Sequence, residues 1–100
     1  MESMIASTKA LAPGKMMGVE ANGKAILLAN VKGEYFAMGN ICTHMGCTIS
    51  DGPLRGNRVQ CPCHGSTFDI TTGAVVRGPA ALPEPSYKLR IEGEQIFVSL

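Results

Sequence analysis

From Tyr87 onward, hydrophobic and polar residues take turns. Tyr87, Leu89 and Ile91 alternate with Lys88, Arg90 and Glu92, and after Gly93 the pattern resumes at Ile96, Val98 and Leu100. Neighbouring side chains of a strand point to opposite faces, so a period of two predicts a closing hairpin with one buried face. Near the start, Ile5–Leu11 is predicted as a first strand, stopped by Pro13 and Gly14. Met16–Ala21 and Lys24–Val31 are predicted as strands joined by Asn22-Gly23. Both residues of that pair tolerate the positive φ that a two-residue hairpin turn requires. Lys32-Gly33 makes the next turn and Glu34–Met38 the next strand, which completes an antiparallel meander.

The middle of the chain reads differently. Residues 39–57 hold Gly39, Gly46, Gly52, Pro53 and Gly56 with little periodicity. Arg58–Cys61 and Thr67–Ile70 are short and β-like, Thr72-Gly73 is a turn, and Ala74–Val76 is apolar. Residues 78–85 carry three prolines and are predicted as a loop. The expected fold is all-β, an antiparallel sandwich or barrel interrupted by a loop-rich portion at about residues 40–85. No helix is predicted there.

Composition narrows the picture. One hundred residues make a single domain, expected to span 1–100. Hydrophobic residues at 45% against 17% charged favour a folded core over disorder. Nine Lys and Arg against eight Asp and Glu leave a net charge of +1, with no basic cluster in sequence of the kind that nucleic acid or anionic lipid needs. Apolar runs such as 25–29 are far shorter than the roughly 18 residues that span a bilayer. The start lacks a basic region followed by a long apolar stretch. These features predict a soluble, cytoplasmic monomer with neither a leader nor a membrane span.

Four Cys and two His fall within one quarter of the chain, in Cys42-Thr43-His44-Met45-Gly46-Cys47 and Cys61-Pro62-Cys63-His64-Gly65-Ser66. Sixteen residues separate His44 from Cys61. Residues two apart in an extended segment project to the same side, about 7 Å apart, so Cys42 and His44 can reach neighbouring atoms of one group. Cys61 and His64 can do so from a turn begun by Pro62. Gly46 and Gly65 omit side chains where backbone must approach closely. Two loops that each offer one thiolate and one imidazole suit a two-iron, two-sulfide cluster, with Cys42 and Cys61 on one iron and His44 and His64 on the other. Other readings remain at this stage: two disulfides without metal, a structural Cys2His2 zinc site, or a Cys nucleophile beside a His base.

The two hexads strongly resemble those of the Rieske iron–sulfur family, Cys-x-His and Cys-x-x-His separated by about 15 to 17 residues. The resemblance covers roughly residues 35–85 and implies a Rieske-like β-sandwich or barrel whose inserted loops bind one [2Fe-2S] cluster through Cys42, His44, Cys61 and His64. Within the family the hexads look most like the subgroup in which a disulfide joins the loops, and that implies a Cys47–Cys63 bond. Gly78-Pro79-Ala80 is similar to the family's proline loop, which packs over the cluster. Ser66 falls where the family has a hydroxyl donor to a bridging sulfide. Phe68 falls where high-potential members carry Tyr, so an intermediate potential is expected.

The implied chemistry is one-electron transfer. Two ferric ions, two sulfides and two thiolates sum to zero charge, and a neutral centre accepts an electron more readily than a tetrathiolate one. Ring N–H acidity at His44 and His64 would make the potential fall at alkaline pH. A self-contained oxygenase needs a further iron site, often two His and a carboxylate. The chain has two His in all, and the cluster would use both. The resemblance therefore implies a small ferredoxin, a carrier and not an enzyme, passing electrons from a reductase to a partner oxidase or oxygenase. A small Rieske subunit of a quinol-oxidising or arsenite oxidase-like complex is the alternative, and a zinc module a third.

Overall fold

The computed structural model describes residues 2–43, 46–63 and 65–100. Its strands are β1 (Glu2–Ser7), β2 (Met16–Ala21), β3 (Lys24–Val31), β4 (Glu34–Gly39), β5 (Leu54–Arg55), β6 (Arg58–Gln60), β7 (Thr67–Asp69), β8 (Val75–Arg77), β9 (Ser86–Glu92) and β10 (Gln95–Ser99). Strands β1-β10-β9-β4-β3-β2 form a six-stranded antiparallel sheet, whose edges β1 and β2 approach each other to make a nearly closed barrel. Strands β5-β6-β7-β8 form a smaller sheet inserted between β4 and β9.

The meander follows its turn chemistry. Asn22 and Gly23 have φ of 50° and 77°, and Lys32 and Gly33 have 53° and 94°, as the tightest hairpin turns demand. Strand β3 is nearly continuous in apolar residues because both of its faces are covered. Leu27 and Ala29 belong to a core shared with the small sheet, while Ile26 and Leu28 face the barrel interior with Ile96 and Val98. Strand β4 divides in the same way, with Met38 on one side and Ala37 on the other. The long wall of the barrel is thus also the floor of the inserted portion.

Two expectations change. The first strand ends at Ser7, whose Oγ accepts a hydrogen bond from the Lys9 amide and starts a 3-10 turn over Thr8–Ala10. A register shift between Met4 and Ala6 places Ile5 and Ala6 both against the core and leaves Met4 exposed, which a strict alternation could not anticipate. At the other end Ile91 stays exposed although it faces the fully buried Ile96. Strand β9 pairs with β4 only through Ser86 and Tyr87, so its far end lacks that neighbour. Among the described residues, no helix is long and apolar enough to cross a membrane.

Candidate functional site

Two loops rise from the inserted portion, and one hydrogen-bond plan closes both. In the first, the Cys42 amide donates to the Cys47 carbonyl at 2.8 Å and the Gly46 amide to the Cys42 carbonyl at 2.9 Å. In the second, the Cys61 amide donates to the Ser66 carbonyl at 2.8 Å and the Gly65 amide to the Cys61 carbonyl at 3.2 Å. Gly46 and Gly65 sit at matching points with φ of 76° and 80°, where a side chain would strain the backbone. The repetition sets Cys42 against Cys61 as equivalent residues, and both are buried in the core that includes Phe68.

The loops are joined by a disulfide between Cys47 and Cys63, and Cys42 and Cys61 lie outside it. The Cys61 sulfur lies within 4.8 Å of both disulfide sulfurs. The four cysteines therefore divide into one surface crosslink and two buried thiols. This division excludes the two-disulfide reading of the sequence. His44, Met45 and His64 lie outside the described residues, so the imidazole half of the predicted ligand set has no geometry here.

The bases of the loops are pinned by polar groups. Asn40, buried at the end of β4, donates through Nδ2 to Ser50 Oγ at 2.9 Å and accepts from the Ser50 amide at 2.8 Å. This side-chain clasp fixes the start and finish of the first loop. Residues 78–85 then strap both loops together. The Ala80 amide donates to Ser66 Oγ at 2.9 Å, and Thr43 Oγ1 donates to the Leu82 carbonyl at 2.7 Å. Pro79 and Leu82 stay exposed on the outer side of this strap. Ser66 is fully buried, and because Oγ already accepts from Ala80, its own O–H remains to donate elsewhere.

Sequence reasoning missed Glu84. The residue is 5% exposed, and its Oε2 has no hydrogen-bond partner among the described residues. Burial pushes its pKa from 4.5 to about 7, opposed in part by a hydrogen bond from the Thr43 backbone. The sequence did contain a signal: an acid flanked by Pro83 and Pro85 in a loop that must turn back to β9. Gly39 and Gly73 make room for it. A Cβ on Gly39 would collide with the Glu84 carboxyl, and one on Gly73 with the Glu84 carbonyl.

The donor chemistry fits an iron–sulfur group: two equivalent buried thiols, a dry apolar floor and a buried hydroxyl with a hydrogen to give. A family model for the Rieske [2Fe-2S] domain matches residues 2–88, and the chain belongs to that family. The ferredoxin component of the naphthalene 1,2-dioxygenase system of Pseudomonas aeruginosa is 37% identical over 87 residues, 87% of this chain and 84% of that protein. The ferredoxin component of biphenyl 2,3-dioxygenase of Rhodococcus jostii (strain RHA1) is 35% identical over 96 residues, 96% of this chain and 90% of that protein. Among solved structures, the ferredoxin of carbazole 1,9a-dioxygenase from Nocardioides aromaticivorans IC177 superposes with a TM-score of 0.95 at 25% identity, covering 99% of this chain and 97% of the other. The all-β Rieske ferredoxin fold expected from the sequence is the fold observed. The chain's role is that of an electron carrier and not of the enzyme that transforms a substrate.

Proposed function

We propose that this chain carries single electrons from a reductase to a terminal oxygenase through one [2Fe-2S] cluster held by Cys42, Cys61, His44 and His64. The observation that carries the ligand assignment is the pair of buried thiols on identically closed loops. The names of the relatives, ferredoxin components of dioxygenase systems, support the oxygenase as acceptor. Bound there, the cluster supplies a one-electron couple in the range of about −150 to +300 mV.

The chain's own residues prepare the site. Cys42 and Cys61 present sulfur from the core side, where water is excluded. The disulfide fixes the spacing of the two loops. Residues 78–85 cover them through Ala80 and Leu82. The Ser66 O–H would give a hydrogen bond to a cluster sulfur and so stabilise added negative charge. Iron and acid-labile sulfide analysis, with electron paramagnetic resonance of the dithionite-reduced protein, tests the reading. Two irons, two sulfides and a low average g value are expected. A colourless protein containing one zinc would overturn it.

A further inference from the structure

Arg90 and the other three arginines have opposite surroundings. Arg90 is matched: Glu2 and Glu92 bind it, and its guanidinium lies 4.4 Å from the Phe97 ring centre. Arg55, Arg58 and Arg77 are exposed on the small sheet and make no ion pair among the described residues. The register explains why they share a face. Leu54, Val59, Phe68 and Val75 align across the four strands on the core side. On the outer side Arg55 stands opposite Arg58, and Thr67 pairs with both Gln60 and Arg77. Like charges directly opposite destabilise a sheet, so placing Arg55 beside Arg58 costs stability. Asp69 also stands opposite Arg58 and offsets part of that repulsion; its Oδ1 accepts from the Thr71 amide and hydroxyl at 2.9 and 2.6 Å, and it makes no ion pair with Arg58 among the described residues.

These residues line a groove of about 210 Å³, formed by Pro53, Arg55, Arg58, Gln60, Thr67 and Arg77. No carboxylate lines it. Gln60 and Thr67 immediately flank the second cysteine loop, whose Pro62 and Cys63 are exposed. One end of the groove therefore adjoins the loop that carries Cys61. Three of the chain's four arginines thus stand together on the sheet that leads into the second cysteine loop.

We propose that this groove is the docking site for an acidic face of a redox protein partner. The proposal rests on the electron-carrier reading and adds the location and charge of the contact. Guanidinium groups bind carboxylates through paired N–H donors and keep their charge at every physiological pH. Three of them on a rigid sheet would clasp two or more carboxylates and bring the second cysteine loop against the partner. The same charges would steer the encounter, an effect that fades once ionic strength shortens the Debye length below about 10 Å.

The test is voltammetry of the iron-loaded protein at gold coated with a carboxylate-terminated monolayer, with an ammonium-terminated monolayer as the opposite surface. The wild type should exchange electrons faster at the carboxylate surface, and added salt should slow it. Replacing Arg55, Arg58 and Arg77 together by Ala should lower that rate by about tenfold or more. Replacing Lys15, Lys32 and Lys88 by Ala removes equal charge outside the groove and should leave the rate near wild type. Equal rates for the arginine variant and wild type, or an equal loss in the lysine variant, would overturn the proposal. If the triple arginine variant does not load iron, Arg55→Ala and Arg77→Ala singly are read against the same control. Adsorption to the carboxylate surface, followed by surface plasmon resonance, reads the groove whether or not a cluster is present. A wild type without a cluster signal thus fails the carrier reading alone, and unchanged adsorption of the arginine variant fails the groove alone. Displacement by micromolar inorganic pyrophosphate at constant ionic strength would mark a small-anion site and overturn protein docking.

Discussion

Replacing Glu84 by Gln should flatten part of the pH dependence of stability. In the unfolded chain this carboxyl ionises at 4.5, and in the folded protein at about 7. Below 4.5 it is protonated in both states. Between the two values the unfolded chain releases the proton while the folded protein keeps it, so stability falls as pH rises. Above 7 the carboxylate is charged in both, and the contribution has gone. At 1.36 kcal/mol per pH unit, the interval corresponds to about 3 kcal/mol. Glu84 sits in a loop between exposed Pro83 and Pro85, where water and small movements relax a buried charge. About 1 to 2 kcal/mol is therefore the expected loss between pH 5 and pH 8. The assay is urea unfolding of wild type and Glu84→Gln at both pH values, followed by circular dichroism. Titration of the other groups cancels in the difference between the two proteins. The variant should lose less stability than wild type across the interval. Parallel pH profiles would refute the reasoning and show that the carboxyl finds water or a donor in solution.

Four further outcomes are expected. Gly52→Ala should cost about 2 to 3 kcal/mol and reduce iron loading, because its Cβ would collide with the Gln60 carbonyl at the base of the second loop; unchanged melting and iron content would contradict this. Ser66→Ala should lower the reduction potential, by about 40 mV for each kcal/mol of hydrogen bonding lost, and leave the Ala80 amide without its acceptor; voltammetry and a melting curve read both effects. Phe68→Tyr should raise the potential by tens of millivolts, about the same conversion, if the added hydroxyl reaches a cysteine sulfur, and no change or a fall would count against that account. Removing the disulfide with Cys47→Ser and Cys63→Ser should cost about 3 kcal/mol in the iron-free protein, and less when iron already joins the loops. Equal losses in the two forms would show that ligation and the disulfide constrain the chain independently.

Much of the fold could be read from local pattern. The strands β2 and β3 and both meander turns follow from apolar periodicity and from Asn-Gly and Lys-Gly pairs that accept positive φ. The closing hairpin follows from alternation and Gly93. The inserted portion was recognisable as irregular and rich in Cys, but its 3-10 turn at Ile49–Asp51 and the two-residue strand β5 are too short to leave a periodic signal. The Cys47–Cys63 pairing is implied by family resemblance, since spacing alone permits several pairings.

The sequence by itself determined the strand periods, the turns and the supply of thiols, imidazoles and hydroxyls, because these depend on residues close together in the chain. Only the tertiary structure decided which groups became neighbours. Contacts over long sequence separation bring Ser66 under Ala80, Thr43 under Leu82 and Glu84 against Gly39. They also gather Arg55, Arg58 and Arg77 on one face, although no basic cluster exists in the sequence. Burial and charge surroundings are properties of packed surfaces, and these do not exist until distant segments meet.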